Sequence, residues 1–139
     1  MKYLYYSLLM LLIVSCSSKT APWAGTVMEI PEWEATEAEK VMQEAFKEIL
    51  FTKVEIVDGK LVLNADESYF VSKGLPAEYY DKMLDGLRYK EKTRRQQNRE
   101  LRRWARKGLI DESEADIYVQ FEKARTEYAQ KILDKENHK

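Results

Sequence analysis

Apolar residues recur at helical spacing between residues 37 and 51. Thr36 and Glu39 introduce this run with the spacing of a capping box, in which each side chain bonds the other residue's backbone N–H. The pattern predicts an amphipathic helix over residues 37–51 with an acidic outer side and a buried stripe. The stripe consists of Ala38, Val41, Met42, Ala45, Phe46, Ile49 and Leu50.

Two short runs of apolar and polar residues flank the pair Asp58-Gly59, which is a strong signal for a two-residue hairpin turn. Such a turn sets Ile56 opposite Leu61 and Val54 opposite Leu63, so that these four side chains share one face of a β-hairpin.

Two neighbouring segments have less definite patterns. Residues 66–73 fit a short helix closed by Gly74, which we favour, or a third strand. Residues 26–30 fit either the end of an irregular tether or a short edge strand.

Helical spacing resumes at Pro76 and continues to Lys107, where the pair Gly108-Leu109 predicts a Schellman-type end. One continuous helix would have to pass Gly86 and residues 88–100, a stretch without any aliphatic side chain. A segment that is polar all round bridges solvent, meets a polar partner or is not a stable helix.

A last helix follows, with residues 111–114 as its predicted N-terminal cap. Its expected buried stripe is Ile117, Phe121, Ala124, Tyr128 and Ile132. Because the connection is short, the last two helices should form an antiparallel helical hairpin. The predicted fold class is therefore mainly α with a small β-hairpin (α+β): an amphipathic helix, a hairpin, then a long antiparallel helical hairpin.

The N-terminus has the order of a secretory signal peptide, with Lys2 followed by the apolar run Leu4–Val14. A helix of this run would be about 16 Å long, well short of the roughly 30 Å hydrocarbon core of a membrane. The run therefore suits the apolar region of a signal better than a transmembrane span.

At its end stands Ile13-Val14-Ser15-Cys16, which resembles the lipobox of bacterial lipoproteins. The resemblance implies a signal peptide over residues 1–15, cleavage between Ser15 and Cys16, and a diacylated thiol on Cys16. It covers only the first 18 or so residues. Ser17, standing where Asp would retain a lipoprotein in the inner membrane, resembles an outer-membrane address facing the periplasm.

The mature chain would then have two parts. Residues 16–32 are expected to be the lipidated cysteine and a tether, with Trp23 able to reach the lipid headgroups. Residues 33–139 are expected to form a single small helical domain.

The composition excludes most catalytic chemistry. The chain of 139 residues has one Cys and one His, His138, so no internal disulfide, Cys–His pair, catalytic Ser-His-Asp set or His-ligated metal site is expected. It has no Gly-rich phosphate loop and no GxSxG turn. We predict no enzyme activity, no cofactor and no metal site. A small carboxylate-based hydrolase is the residual catalytic alternative.

The long helix carries an unusual concentration of positive charge. Residues 88–107 contain ten basic side chains against two acidic ones, although the whole chain has a net charge of −1. Six of the ten recur at steps of three and four residues and fall on one side of a helix. They are Arg88, Lys92, Arg95, Arg99, Arg102 and Arg106.

Three interpretations of these six residues remain open. The one we favour is neutralisation within the protein, by the acidic first helix and by acidic residues near the last helix: Glu114, Asp116, Glu122 and Glu127. The others are an anionic membrane or envelope polymer and an acidic protein partner. Secretion makes nucleic acid an unexpected partner.

The expected function is a lipid-anchored envelope protein that acts as a non-catalytic interaction module or accessory subunit. The alternative is a lipoprotein inhibitor or exclusion factor of an envelope receptor or enzyme. In either case the membrane is contacted through the N-terminal lipid.

Overall fold

The computed structural model describes residues 23–138. The predicted signal peptide, Ser15, Cys16 and the first part of the tether lie outside the described residues. Within them the fold is mainly α with a small β-hairpin, as predicted. The elements are α1 (Glu37–Thr52), β1 (Val54–Val57), β2 (Lys60–Leu63), α2 (Glu67–Ser72), α3 (Tyr79–Arg106) and α4 (Ile117–Asn137), with 3₁₀ turns at Val27–Glu29 and Glu112–Glu114.

The described chain divides into two compact units, residues 23–91 and residues 92–138. The division falls within α3, which is a single uninterrupted helix of 28 residues. The predicted continuity through Gly86 and through the polar stretch 88–100 is confirmed.

Helix α1 begins with the predicted capping box. The N–H of Glu39 donates to Thr36 Oγ1 at 3.1 Å, and the N–H of Thr36 donates to Glu39 Oε1 at 2.9 Å. The predicted buried stripe is right in its C-terminal half, but Ala38 is exposed and Val41 is 67% exposed. Gln43 is buried instead.

The reason for this exchange lies in the segment before α1. Gln43 Nε2 donates to the carbonyl oxygens of Val27 and Ile30, at 2.9 and 2.8 Å. These carbonyls belong to the 3₁₀ turn that packs on α1, and buried backbone acceptors need donors. The helix therefore turns an amide, rather than Val41, toward this segment.

Residues 23–31, which the sequence assigned to the tether, are folded onto the first unit. Trp23 is only 4% exposed, and its ring meets the Phe46 ring edge-on with centroids 5.1 Å apart. The N–H of Val27 donates to the Tyr79 hydroxyl at 3.1 Å. Trp23 is therefore a core residue and not a contact to lipid headgroups. Burying its large aromatic ring against Phe46 stabilises the fold, and an exposed tether would lose that stabilisation.

Burial of Trp23 also accounts for Gly86 in the interior of α3. A Cβ added at Gly86 would lie 2.2 Å from Trp23 Cζ3. The indole ring occupies the space of a side chain, so the close approach of helix and ring requires glycine there.

The β-hairpin has the predicted register, with Val54 opposite Leu63 and Ile56 opposite Leu61. Asp58 and Gly59 both have positive φ, 51° and 75°, as the central residues of a type I′ turn do. The N–H of Leu61 donates to Glu91 Oε1 at 2.7 Å, so a carboxylate of α3 satisfies a backbone donor of the edge strand β2.

Helix α2 confirms the favoured assignment of residues 66–73. Asp66 caps it by accepting from the N–H of Tyr69 at 2.9 Å. Gly74, with φ 86°, ends it, and the N–H of Leu75 returns to the carbonyl of Phe70. The long helix α3 begins at Tyr79, three residues later than predicted, so Pro76 lies in the turn that precedes it.

The C-terminal end of α3 agrees with the sequence prediction, whereas the N-terminal end of α4 does not. The Schellman-type end of α3 is confirmed, since Gly108 has φ 75° and the N–H of Leu109 donates to the carbonyl of Trp104 at 3.0 Å. The predicted cap of α4 at residues 111–114 is wrong. These residues include a separate 3₁₀ turn, and Asp116 caps α4 by accepting from the N–H of Tyr118.

The buried stripe of α4 is confirmed for four of its five members, whereas Ile132 is 37% exposed. The buried apolar residues of the second unit are Leu101, Ile110, Ile117, Tyr118, Phe121, Ala124 and Tyr128. They define the packed sides of α4 and of the C-terminal part of α3.

Candidate functional site

Five basic side chains form a row on the C-terminal part of α3, and all five are exposed. We call this row the cationic stripe; its residues are Lys92, Arg95, Arg99, Arg102 and Arg106. At 100° and 1.5 Å per residue, they fall within an arc of about 80° and along about 21 Å of helix. Arg88, the sixth residue of the predicted row, belongs to the first unit and pairs with Asp85 at 3.4 Å.

The stripe has no acidic partner among residues 23–138: no ion pair joins any of its five side chains to a carboxylate. The two acidic residues of this helical stretch have other partners. Glu100 pairs with Arg103 at 3.0 Å, and Glu91 accepts the N–H of Leu61. Like charges at these spacings repel each other. The row therefore presents concentrated, uncompensated positive charge to solvent.

Among residues 23–138, none of the carboxylates expected to neutralise the stripe forms an ion pair with its five residues. Three of these carboxylates bind other cations. Asp116 pairs with Arg94, Glu114 with Lys123, and Glu122 with Arg125. Those of α1 pair within the first unit, with Lys40, Lys47 and Lys73. Each of these carboxylates therefore has its cation within its own unit.

The residue that orients the stripe is Arg94, which precedes Arg95. Its Nε and Nη2 donate to the two carboxylate oxygens of Asp116, at 3.1 and 2.6 Å. Its guanidinium also lies 3.9 Å from the centre of the Tyr118 ring. A bidentate ion pair combined with ring stacking holds an arginine in one orientation.

Asn98, one helical turn later, provides a second connection. Its Oδ1 accepts the N–H of Ile117 at 2.8 Å. With Arg94 it attaches one side of α3 to the first residues of α4. The rotation of α3 about its axis is fixed by these two residues, and the side carrying Arg95 and Arg99 is consequently turned outward.

The electrostatics of the Arg94–Asp116 pair are consistent with this geometry. Burial by itself raises the pKa of the Asp116 carboxyl. The hydrogen bonds from Arg94 and from the backbone of Tyr118, the charge of Arg94 and a hydrogen bond from Asn98 outweigh burial and lower that pKa below 3.8. The hydrogen bond with Asp116 is likewise the main reason that the pKa of Arg94 is raised. Both groups are charged at neutral pH.

An apolar side chain lies just beyond the C-terminal end of the stripe. Leu109 follows the helix-ending Gly108 and is 58% exposed. The exposed Lys107 precedes this glycine. The end of the stripe thus combines positive charge with one accessible aliphatic group.

A second surface feature lies in the first unit. Trp33 is 85% exposed and borders a wide, open groove. The other lining residues are Glu32, Lys40, Gln43 and Glu44. This groove brings together charges of both signs. Gln43, the buried polar residue of its lining, already donates its amide N–H groups to the carbonyls of Val27 and Ile30. The groove therefore offers a ligand less than the stripe does.

Two kinds of feature are absent from residues 23–138. In that range no three His, Cys, Asp or Glu side chains come together in a way that could hold a metal ion. No helix in that range has both the length and the apolar character needed to cross a membrane.

Sequence reasoning found the stripe but missed the residues that orient it. Helical spacing already separates Arg94 from the stripe, because it lies on the opposite side of the helix from Lys92. The sequence does not show which carboxylate Arg94 binds, because four acidic residues stand between positions 111 and 116. Comparison with protein-family models, curated proteins and solved structures gave no match.

Proposed function

We propose that this chain is a lipid-anchored envelope protein that acts as a non-catalytic interaction module, and that the cationic stripe is the surface by which it binds its partner. The observation that carries the proposal is the row of five exposed cations without an acidic partner among residues 23–138. Repulsion within such a row is relieved when an anionic partner binds.

The lipid anchor is supported by the sequence Ile13–Cys16, which follows a short apolar run and resembles a lipobox. An attached diacyl group holds a protein stably, because two acyl chains bury enough methylene groups to prevent rapid dissociation. Anchoring would keep the stripe at a membrane surface, where its partner has to be found.

A non-catalytic role is supported by the chain's inventory of reactive side chains. Its only cysteine, Cys16, is the proposed lipid site, and its only histidine, His138, is exposed at the end of α4. Histidine is the residue that general acid–base catalysis uses most often, and cysteine is one of the strong nucleophiles of covalent catalysis.

The anchor can be tested by metabolic labelling of the full chain with an alkyne-bearing fatty acid in a bacterial host. We expect wild-type chain to incorporate the label and to sediment with membranes, and Cys16→Ser to do neither. A Cys16→Ser chain that is labelled and sediments like the wild type would contradict the anchor.

The role of the stripe can be tested with a photo-crosslinking amino acid at Gln96, which is exposed beside Arg95. In cells that make the full chain, we expect adducts that disappear when Arg95, Arg99 and Arg102 are all changed to Glu. The matched control changes Lys60, Lys131 and Lys135, three exposed cations elsewhere, to Glu and alters the net charge equally. Adducts of equal yield in both triple variants would refute the stripe as the binding surface.

A further inference from the structure

We infer that the partner of the cationic stripe is an anionic phospholipid surface, contacted through its headgroup phosphates. This inference rests on the proposed function, because the anchor is what brings the stripe to a membrane. It goes further by specifying the chemistry of the partner.

The shape of the stripe fits a flat surface. A straight helix touches a plane along one line, and the five cations follow such a line for about 21 Å within an arc of about 80°. Long, flexible Lys and Arg side chains from this arc can all reach the same plane. A folded acidic protein would need a matching straight row of carboxylates, whereas a membrane offers phosphates at every position.

The composition of the stripe points the same way. The centres of protein–protein interfaces are depleted in charged residues as a whole, and the arginines that are enriched there occur together with aromatic anchors. The arc from Lys92 to Arg106 carries basic side chains only, with no aromatic or aliphatic anchor among its five positions. Four of the five are arginines, which bind phosphate oxygens through two parallel hydrogen bonds.

An exposed aliphatic side chain follows the stripe along the chain. Leu109 comes three residues after Arg106 and is 58% exposed. Basic residues beside one or a few apolar groups are typical of segments that lie at the interface of anionic membranes.

The expected strength suits a tethered protein. Each Lys or Arg close to an anionic surface strengthens binding about fivefold, and the effect weakens with salt. Five such residues give modest affinity to a free domain. An anchored chain meets the surface at about millimolar effective concentration, which is enough for the stripe to be bound most of the time.

The test uses the full chain reconstituted into vesicles, with a Gln96→Cys substitution beside the stripe. One set of vesicles is pure phosphatidylcholine, and the other contains about 30% phosphatidylglycerol. The readout is the rate at which an uncharged polyethylene-glycol maleimide modifies Cys at position 96, followed on its own peptide by mass spectrometry so that Cys16 does not contribute.

We expect modification to be at least about fivefold slower on the anionic vesicles than on the neutral ones, and about 0.5 M KCl to abolish the difference. The Arg95→Glu, Arg99→Glu, Arg102→Glu variant should show no slowing, since losing three cations weakens binding about a hundredfold. The Lys60→Glu, Lys131→Glu, Lys135→Glu control should be slowed like the wild type. Circular dichroism of both variants establishes that each is folded.

Equal rates on the two kinds of vesicle would overturn the lipid inference. If cross-linking at Gln96 then yields protein adducts that depend on the stripe, the interaction module stands and its partner is an acidic protein. If neither vesicles nor cross-linking depends on the stripe, the proposed use of this surface fails as well.

Discussion

Arg94 and Arg95 are neighbours in the chain and have opposite environments. Arg94 is bound by both oxygens of Asp116 and lies on the Tyr118 ring, whereas Arg95 projects into solvent with no acidic partner in the described part of the chain. One residue of helix rotates a side chain by 100°. That rotation separates an arginine that holds two helices together from one that is available to a partner.

The difference extends along the second unit's part of α3. Arg94, Asn98 and Leu101 lie on the side that contacts the start of α4 or is buried. Lys92, Arg95, Arg99, Arg102 and Arg106 lie on the other side. The packed side holds α3 against α4, and the exposed side carries cations that have no acidic partner among residues 23–138. Substitutions on the packed side should therefore change the stability of the protein, and substitutions on the exposed side should mainly change its binding to a partner.

The largest effect on stability is expected from Arg94→Ala. It leaves the partly buried Asp116 without its bidentate partner and removes the stacking on Tyr118, so the free energy of unfolding should fall by about 1–2 kcal/mol. The matched change Arg95→Ala should alter it by no more than about 0.5 kcal/mol. Urea unfolding of the full chain measures both, and equal losses would contradict the assignment of the two residues.

A smaller, pH-dependent effect is expected from Asp116→Asn, which can keep the helix cap but removes the charge. Because folding lowers the pKa of Asp116 below 3.8, the pair stabilises the protein fully above that value and is lost as the pH falls through the lower, folded-state pKa. The difference in stability between wild type and variant should therefore narrow as the pH is lowered from 5 to about 2.

Asp66 has a pKa lowered in the same direction, by hydrogen bonds from Ser68 and from the backbone of Tyr69. It contributes equally to both proteins, so comparing wild type with Asp116→Asn isolates Asp116. A difference between the two curves that is constant with pH would show that the charge of Asp116 does not contribute.

The smallest effect on stability is expected from neutralising the stripe by changing Arg95, Arg99 and Arg102 to Gln. Removing like charges three and four residues apart should raise the free energy of unfolding by a few tenths of a kcal/mol at low salt. The gain should disappear at high salt because the repulsion is already screened. Thermal unfolding at the two salt concentrations measures this, and a loss of about 1 kcal/mol or more would mean that the stripe has a structural role.

Local interactions made much of the fold predictable. The capping box at Thr36, the turn at Asp58-Gly59 with its strand register, and the glycine-ended α2 and α3 all depend on residues within a few positions of one another. Such features need only the backbone geometry and the side chains of one segment. The stripe itself belongs to this group, since its spacing on a helix follows from the sequence.

Tertiary structure decided the features that depend on distant partners. Trp23 is buried because Gly86, far along the chain, leaves room for its ring, and Gln43 replaces Val41 on the packed side because two backbone carbonyls need a donor. The same holds for the charges. The sequence determined where the cations lie on α3. Packing determined that Asp116 binds Arg94 and that no carboxylate among residues 23–138 pairs with the stripe, because an ion pair requires two side chains to meet in space.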